Sequence, residues 1–161
     1  MDVLIRLLLR FILVPLGAAA ALVAATGVVV IAHRHALFAV LDADPQTQQD
    51  YFVTLALAGP LLAALLSISA FYMLVPAAIG VLISEALAIR SFLFHAANGG
   101  LSVWLGWTLT QDIRDEYRFF AEPGILIAAG LLAGLAYWVV CGWTAGFWKP
   151  VRSPRRPMPQ S

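Results

Sequence analysis

The sequence has 161 residues, of which 61% are hydrophobic and only 12% are charged, with a net charge of +1. A soluble domain carries about 25% charged residues, so this composition excludes an ordinary soluble domain and is typical of a chain solvated by lipid. The near-zero net charge gives no basic excess for nucleic acid, so no nucleic-acid partner is expected. One cysteine, Cys141, excludes an intrachain disulfide, and the sequence has no Cys/His cluster with the spacing of zinc ligands.

The first apolar segment, residues 11–32, is uncharged and long enough to cross a bilayer. A cleaved signal peptide is the alternative, because Arg6 and Arg10 precede the apolar run and small residues lie at 18–21. The apolar run continues beyond the usual length of a signal peptide, so we predict a retained first span.

The second apolar segment, residues 51–84, has no Asp, Glu, Lys or Arg over 34 positions. That length exceeds one span and is too short for two spans with a turn. Asp44-Pro45 is typical of a helix start, and Pro76 offers a break. We therefore predict a span over 52–74 and a short interfacial helix over 77–90. One long tilted helix to about Ser84 is the alternative.

Two further uncharged segments predict a third span over 91–111 and a fourth over 124–147. A charged loop, 112–122, separates them. The tail, 149–161, is rich in proline and basic residues without apolar periodicity, so we predict that it is disordered. The fold class is thus all-α: a polytopic membrane protein with a four-helix transmembrane domain over 1–148.

The distribution of basic residues predicts the orientation of these spans. With both termini in the cytoplasm, seven Lys and Arg residues lie inside and three lie outside. This indicates a multi-pass protein of a bacterial cytoplasmic membrane with its tail on the inner surface. The tail residues expected to contact anionic lipid there are Lys149, Arg152, Arg155 and Arg156.

Four glycines in the last apolar segment are spaced by four or eight residues, which would place them on one face of a continuous helix. They are Gly130, Gly134, Gly142 and Gly146. Pairs of small residues four apart let helix backbones approach closely. The stripe predicts a helix-packing interface, either with a partner or with the first or third helix of the same chain.

Two polar residues, Glu85 and Asn98, are candidates for a transport site, because carboxylates and amides are costly inside a membrane. Either form of the second segment places Glu85 near the inner surface rather than at mid-membrane, so a surface role is the simpler interpretation. Arg90 is five residues further on, which does not favour an intrahelical ion pair. Asn98 and Ser102 are four apart and are expected to hydrogen-bond a neighbouring helix.

The three histidines do not predict a haem or metal site. His33 and His35 are expected at the outer end of the first helix and His95 near the inner end of the third, so the bilayer separates them. No Gly-x-Ser-x-Gly or His-Glu-x-x-His motif is present. We therefore expect no cofactor, no metal and no enzymatic activity.

The last helix carries Ala133-Gly134-Leu135-Ala136-Tyr137-Trp138, followed by Gly142, Ala145 and Gly146. This segment resembles the closing segment of small uncharacterised inner-membrane proteins of proteobacteria. Those proteins tend to carry a basic residue near the position of Cys141-Gly142-Trp143. The resemblance covers about fifteen residues and implies a location rather than an activity.

The sequence therefore favours a structural or accessory membrane protein that packs through the glycine face of its fourth helix. Its expected partners are the lipid bilayer and either further copies of itself or a larger membrane complex. The alternative is a small oligomeric transporter or channel, which would require Glu85 or Asn98 to line a polar cavity.

Overall fold

The computed structural model describes residues 2–110 and 122–146, and every regular element within them is a helix. A single 3₁₀ turn, Gly142–Thr144, follows the last helix. The α-helices are α1 (Asp2–Ala32), α2 (Arg34–Leu41), α3 (Pro45–Leu87), α4 (Phe92–Leu109) and α5 (Pro123–Val140).

Three of these helices are long and apolar enough to cross a membrane: α1 over Leu8–Ala32, α3 and α5. This confirms the prediction of a helical membrane protein in its general form. The fourth long helix, α4, does not meet the same requirement of length and apolar composition. Its 18 residues include His95, Asn98 and three glycines, which lower its apolar content.

Helix α3 continues through Pro76 to Leu87, so the predicted break and the predicted interfacial helix over 77–90 are wrong. A proline removes one backbone N–H and therefore one hydrogen bond of the helix. Membrane helices tolerate this loss, and the helix continues beyond the proline. The 43 residues of α3 extend over about 65 Å. The helix is capped by Ala88, which has φ +57°, and the Ile89 N–H donates to Ser84 O at 2.8 Å.

The predicted helix start at Asp44-Pro45 is confirmed. The Asp44 carboxylate accepts hydrogen bonds from the backbone N–H groups of Gln46 and Thr47, both at 3.1 Å. The same carboxylate also accepts from the Thr47 hydroxyl at 2.6 Å. These bonds satisfy donors that have no partner within the first turn of the helix.

Helix α5 is shorter than the predicted span over 124–147, because it ends at Val140. The backbone turns at Cys141, which has φ −137° and ψ −37°, and enters the 3₁₀ turn. Gly142 and Gly146 therefore lie beyond α5. They do not continue the face of Gly130 and Gly134, which corrects the prediction of one four-glycine stripe.

The long helices pack in the order α1, α5, α4, α3, with α1 and α3 at the two edges. Neighbours in this row run antiparallel. Gly99 packs on Gly130 and His95 on Gly134 between α4 and α5. Asn98 packs on Gly80 and Gly106 on Met73 between α4 and α3. The start of α1, the end of α3, the start of α4 and the end of α5 therefore lie at one end of the molecule.

Candidate functional site

Side chains from four other parts of the chain converge on the short segment Cys141–Gly146 that follows α5. We call this arrangement the polar clasp. It consists of Cys141–Gly146 together with Arg10 of α1, Glu85 of α3, Arg90 of the α3–α4 connection and His95 of α4. It lies at the end of the molecule where α1 begins and α5 ends.

Arg10 binds both the segment and α3. Its Nη1 donates to Cys141 O at 3.2 Å and to the Thr144 hydroxyl at 2.6 Å. Its Nη2 forms an ion pair with Glu85 Oε1, and the side chains of Arg10 and Glu85 are only 10% and 16% exposed. Because charges are costly to bury alone, each of these groups depends on the other for its place in the interior.

Glu85 also holds the end of the segment. Its Oε2 accepts a hydrogen bond from the Gly146 backbone N–H at 3.2 Å. Gly146 has φ +72° and lies against Ala88, so a side chain at this position would be strained and would also collide with Ala88. Two carboxylate oxygens thus join α1, α3 and the chain after α5.

Arg90 and Trp138 hold the α3–α4 connection against α5 and against Cys141–Gly146. Arg90 Nε donates to Ala145 O at 3.0 Å, and Trp138 Nε1 donates to Arg90 O at 2.8 Å. The Trp138 ring meets the Phe92 ring edge-on, with centroids 6.0 Å apart. The α3–α4 connection is therefore fixed between α5 and the segment that follows it.

His95 fills the centre of the clasp and is 1% exposed. Its ring lies 5.5 Å from the ring of Tyr137, and its Nε2 is 3.4 Å from Ile89 O. A Cβ added to Gly142 would lie 2.8 Å from that Nε2, so only glycine leaves room for the imidazole. His95 Nδ1 has no hydrogen-bond partner among the described residues.

Cys141 is fully buried and close to Tyr137, whose hydroxyl accepts a hydrogen bond from Sγ at 3.5 Å. A Cβ added to Gly17 of α1 would lie 3.0 Å from Cys141 Cβ. The thiol is therefore enclosed between α1 and α5, as expected for a small packed residue.

Glu85 lies near the end of α3, but its side chain is largely buried and paired with Arg10 from another helix. Arg90, which was not expected to pair with Glu85, binds Ala145 instead. His33 and His35 are exposed at the opposite end of the molecule from His95. No group of three or more His, Cys, Asp or Glu side chains in the described parts of the chain is arranged to hold a metal.

Asn98 is used to join helices. Its Nδ2 donates to Ala77 O of α3 at 3.0 Å, which agrees with the expected interhelical hydrogen bond. Ser102 instead donates to the Asn98 carbonyl of its own helix at 2.6 Å. Asn98 borders an open groove of about 350 Å³ between α3 and α4, whose other walls are mainly apolar, including Ile79 and Phe94. Glu85 does not line this groove.

Gly130 and Gly134 pack on α4 of the same chain. Of the two predicted uses of these glycines, a partner interface or packing within the chain, the structure shows the second. A Cβ on either glycine would overlap the backbone of α4, at Gly99 and at His95 respectively. The predicted lipid-contacting residues Lys149, Arg152, Arg155 and Arg156 lie outside the described residues. So do the predicted tail 149–161 and the charged loop except for Glu122.

Sequence reasoning missed the role of Arg10, which was counted only as a charge that sets orientation. One signal was available: Arg10 and Glu85 have opposite charge, and each lies at the expected inner end of an apolar helix. No local sequence pattern predicts that Thr144 and the Gly146 N–H take part in the polar clasp, because both are positioned by the turn after Val140.

No protein-family model matches this chain, and comparison with curated proteins and with solved structures finds no match.

Proposed function

We propose that this chain is a structural or accessory component of a bacterial cytoplasmic membrane, with four spans and both termini inside. The observation that supports this role is the ion pair between Arg10 and Glu85. The charged groups within the described helical core are occupied in joining helices to one another. A charge held in this way stabilises an assembly and is not free to bind a transported ion.

Contacts along α4 support its inclusion as the fourth span. The helix is antiparallel to both α3 and α5 and packs beside them along its length, about 27 Å. Two of its polar side chains, His95 and Ser102, are buried, and Asn98 is bonded to α3. Polar side chains that face the interior of a helical bundle, as these three do, are tolerated at membrane depth.

The surface proposed for a partner is the first half of α3. Helix α3 lies at an edge of the row, and it is about 38 Å longer than α4. Its side chains between Tyr51 and Leu57 are all exposed, including Phe52 at 67% and Leu57 at 80%. Because Gly130 and Gly134 already contact α4, the expected glycine face of the last helix is not free for this purpose.

The test is purification of tagged protein from its native membrane into nanodiscs, with the masses of intact complexes measured. We expect a stable complex that is lost in Gly59→Leu, because Gly59 lies in the first half of α3. Gly27→Leu in α1 is the matched control. A Cβ at Gly59 or Gly27 meets no atom within 4 Å, so both positions open away from the rest of the chain. Recovery of a monomer alone, or equal complex formation by both variants, would contradict the proposal.

A further inference from the structure

We propose that the polar clasp is a proton-operated latch, in which protonation of His95 releases Cys141–Gly146 from α4. The proposal rests on the position of His95. The imidazole is 1% exposed, Nε2 faces Ile89 O, and Nδ1 has no partner among the described residues. A neutral ring fits this site, whereas an imidazolium has two N–H donors and would leave one of them unpaired.

The charges around His95 oppose a second positive charge there. Arg10 of α1 binds Cys141 O, and the His95 ring lies against the next residue, Gly142. Arg90, in the connection before α4, adds another positive charge to the clasp. Glu85 is the acidic residue of the clasp, and its two oxygens already bind Arg10 and Gly146.

The groups facing His95 from α5 do not compensate for that charge. Tyr137 presents its ring to the imidazole, and its hydroxyl accepts from the Cys141 thiol. Gly142 has no side chain and must stay without one for the ring to fit. An imidazolium therefore has no acceptor for Nδ1–H in the closed clasp, and it gains one, water, when Cys141–Gly146 moves away.

The direction of the pH effect follows from this difference. The closed clasp holds the neutral ring, and the open clasp exposes a ring with the ordinary imidazole pKa of about 6.5. The closed form is therefore favoured above that pH. Below it, each unit of pH favours the open form by up to about tenfold.

Cys141 reports on the latch directly, because it is the single cysteine of the chain and is 0% exposed. The experiment uses the full chain in nanodiscs at pH 8.0 to 5.0 and measures the rate of alkylation of Cys141. Each rate is divided by that of the SDS-unfolded chain at the same pH, which removes the intrinsic pH dependence of the thiol. We expect this ratio to rise by up to about tenfold between pH 8 and pH 5.5.

His95→Gln keeps a neutral polar side chain and should give a ratio that does not change with pH. His33→Gln is the matched control, because His33 is exposed at the other end of the molecule and its Nδ1 bonds Val29 O. This control should keep the wild-type profile. A flat ratio in the wild type, or a rise with acid that persists in His95→Gln, would overturn the proposal.

A second measurement does not depend on the folding of the His95 variant. Imidazole ¹⁵N spectra of the wild-type protein, assigned with His33→Gln and His35→Gln, follow the protonation of His95 itself. We expect protonation and Cys141 reactivity to change together. Reactivity that rises while His95 stays neutral would show that another group opens the clasp and would overturn the proposal.

Discussion

At the scale of single residues, the Arg10–Glu85 pair decides how the ends of α1 and α3 are held. Both side chains are largely buried, so their mutual attraction is weakly screened by solvent. The pair is also bonded to Cys141, Thr144 and Gly146. Losing one member would therefore leave the other charge unpaired, and loss of Glu85 would also remove the acceptor of the Gly146 N–H.

We predict that Glu85→Gln or Arg10→Gln alone destabilises the protein by about 3 kcal/mol, the cost of leaving one buried charge unpaired. The double variant Arg10→Gln/Glu85→Gln should lose less than the sum of the two, because neither charge remains. Reversible unfolding in bicelles, followed as a double-mutant cycle, measures this coupling.

Arg34→Gln is the control for this cycle, because Arg34 is exposed on α2. It should leave the free energy of unfolding within about 0.5 kcal/mol of the wild type. Strictly additive effects of the two clasp substitutions would show that the ion pair does not stabilise the fold.

At the scale of helices, local signals predict where a helix begins better than where it ends. Asp44 marks the start of α3 because its carboxylate reaches N–H groups only two and three residues away. The end of α5 has no such signal. Val140 is followed by Cys141 and Gly142, which turn to contact Arg10 and His95, residues more than 40 positions away.

The Asp44 cap should depend on its charge and geometry. Hydrogen bonds from the Thr47 hydroxyl and the Thr47 N–H lower the pKa of Asp44 from its ordinary value of 3.8. Since the folded-state pKa is lowered, the cap stabilises the helix above pH 3.8 and loses this effect as pH falls through the folded-state pKa. Asp44→Ala should speed amide hydrogen exchange at Gln46 and Thr47 at neutral pH.

Asp44→Asn retains a side-chain oxygen and should keep most of this protection, without its loss in acid. Exchange measured by mass spectrometry on short peptides from the start of α3 distinguishes the variants. Unchanged exchange in Asp44→Ala would mean that the cap does not hold the first turn.

At the scale of the whole molecule, the number of spans depends on α4. The row α1, α5, α4, α3 places α4 between two helices that are apolar enough to cross a membrane. With four spans, Asp42 and Glu122 lie outside and residue 161 lies inside. If α4 did not cross, Glu122 would lie inside and residue 161 outside.

We predict that an impermeant maleimide labels Asp42→Cys and Glu122→Cys in intact cells, both in a Cys141→Ala background. Ser161→Cys in the same background should be labelled only after permeabilisation. Asp42 and Glu122 are exposed, so labelling there reports the side of the membrane rather than burial. Labelling of Ser161→Cys in intact cells, together with protection of Glu122→Cys, would instead indicate three spans.

The sequence by itself determined the class of protein, the approximate apolar segments and the start of α3. These properties depend on composition and on residues close together in the chain. Tertiary structure decided the continuity of α3, the end of α5 and the partner of Glu85. Arg10 and Glu85 are 75 positions apart, and Arg10 and Cys141 are 131 apart. Such contacts arise only when helices pack, because charged and polar groups buried in a membrane are stable when they are paired with groups on neighbouring helices.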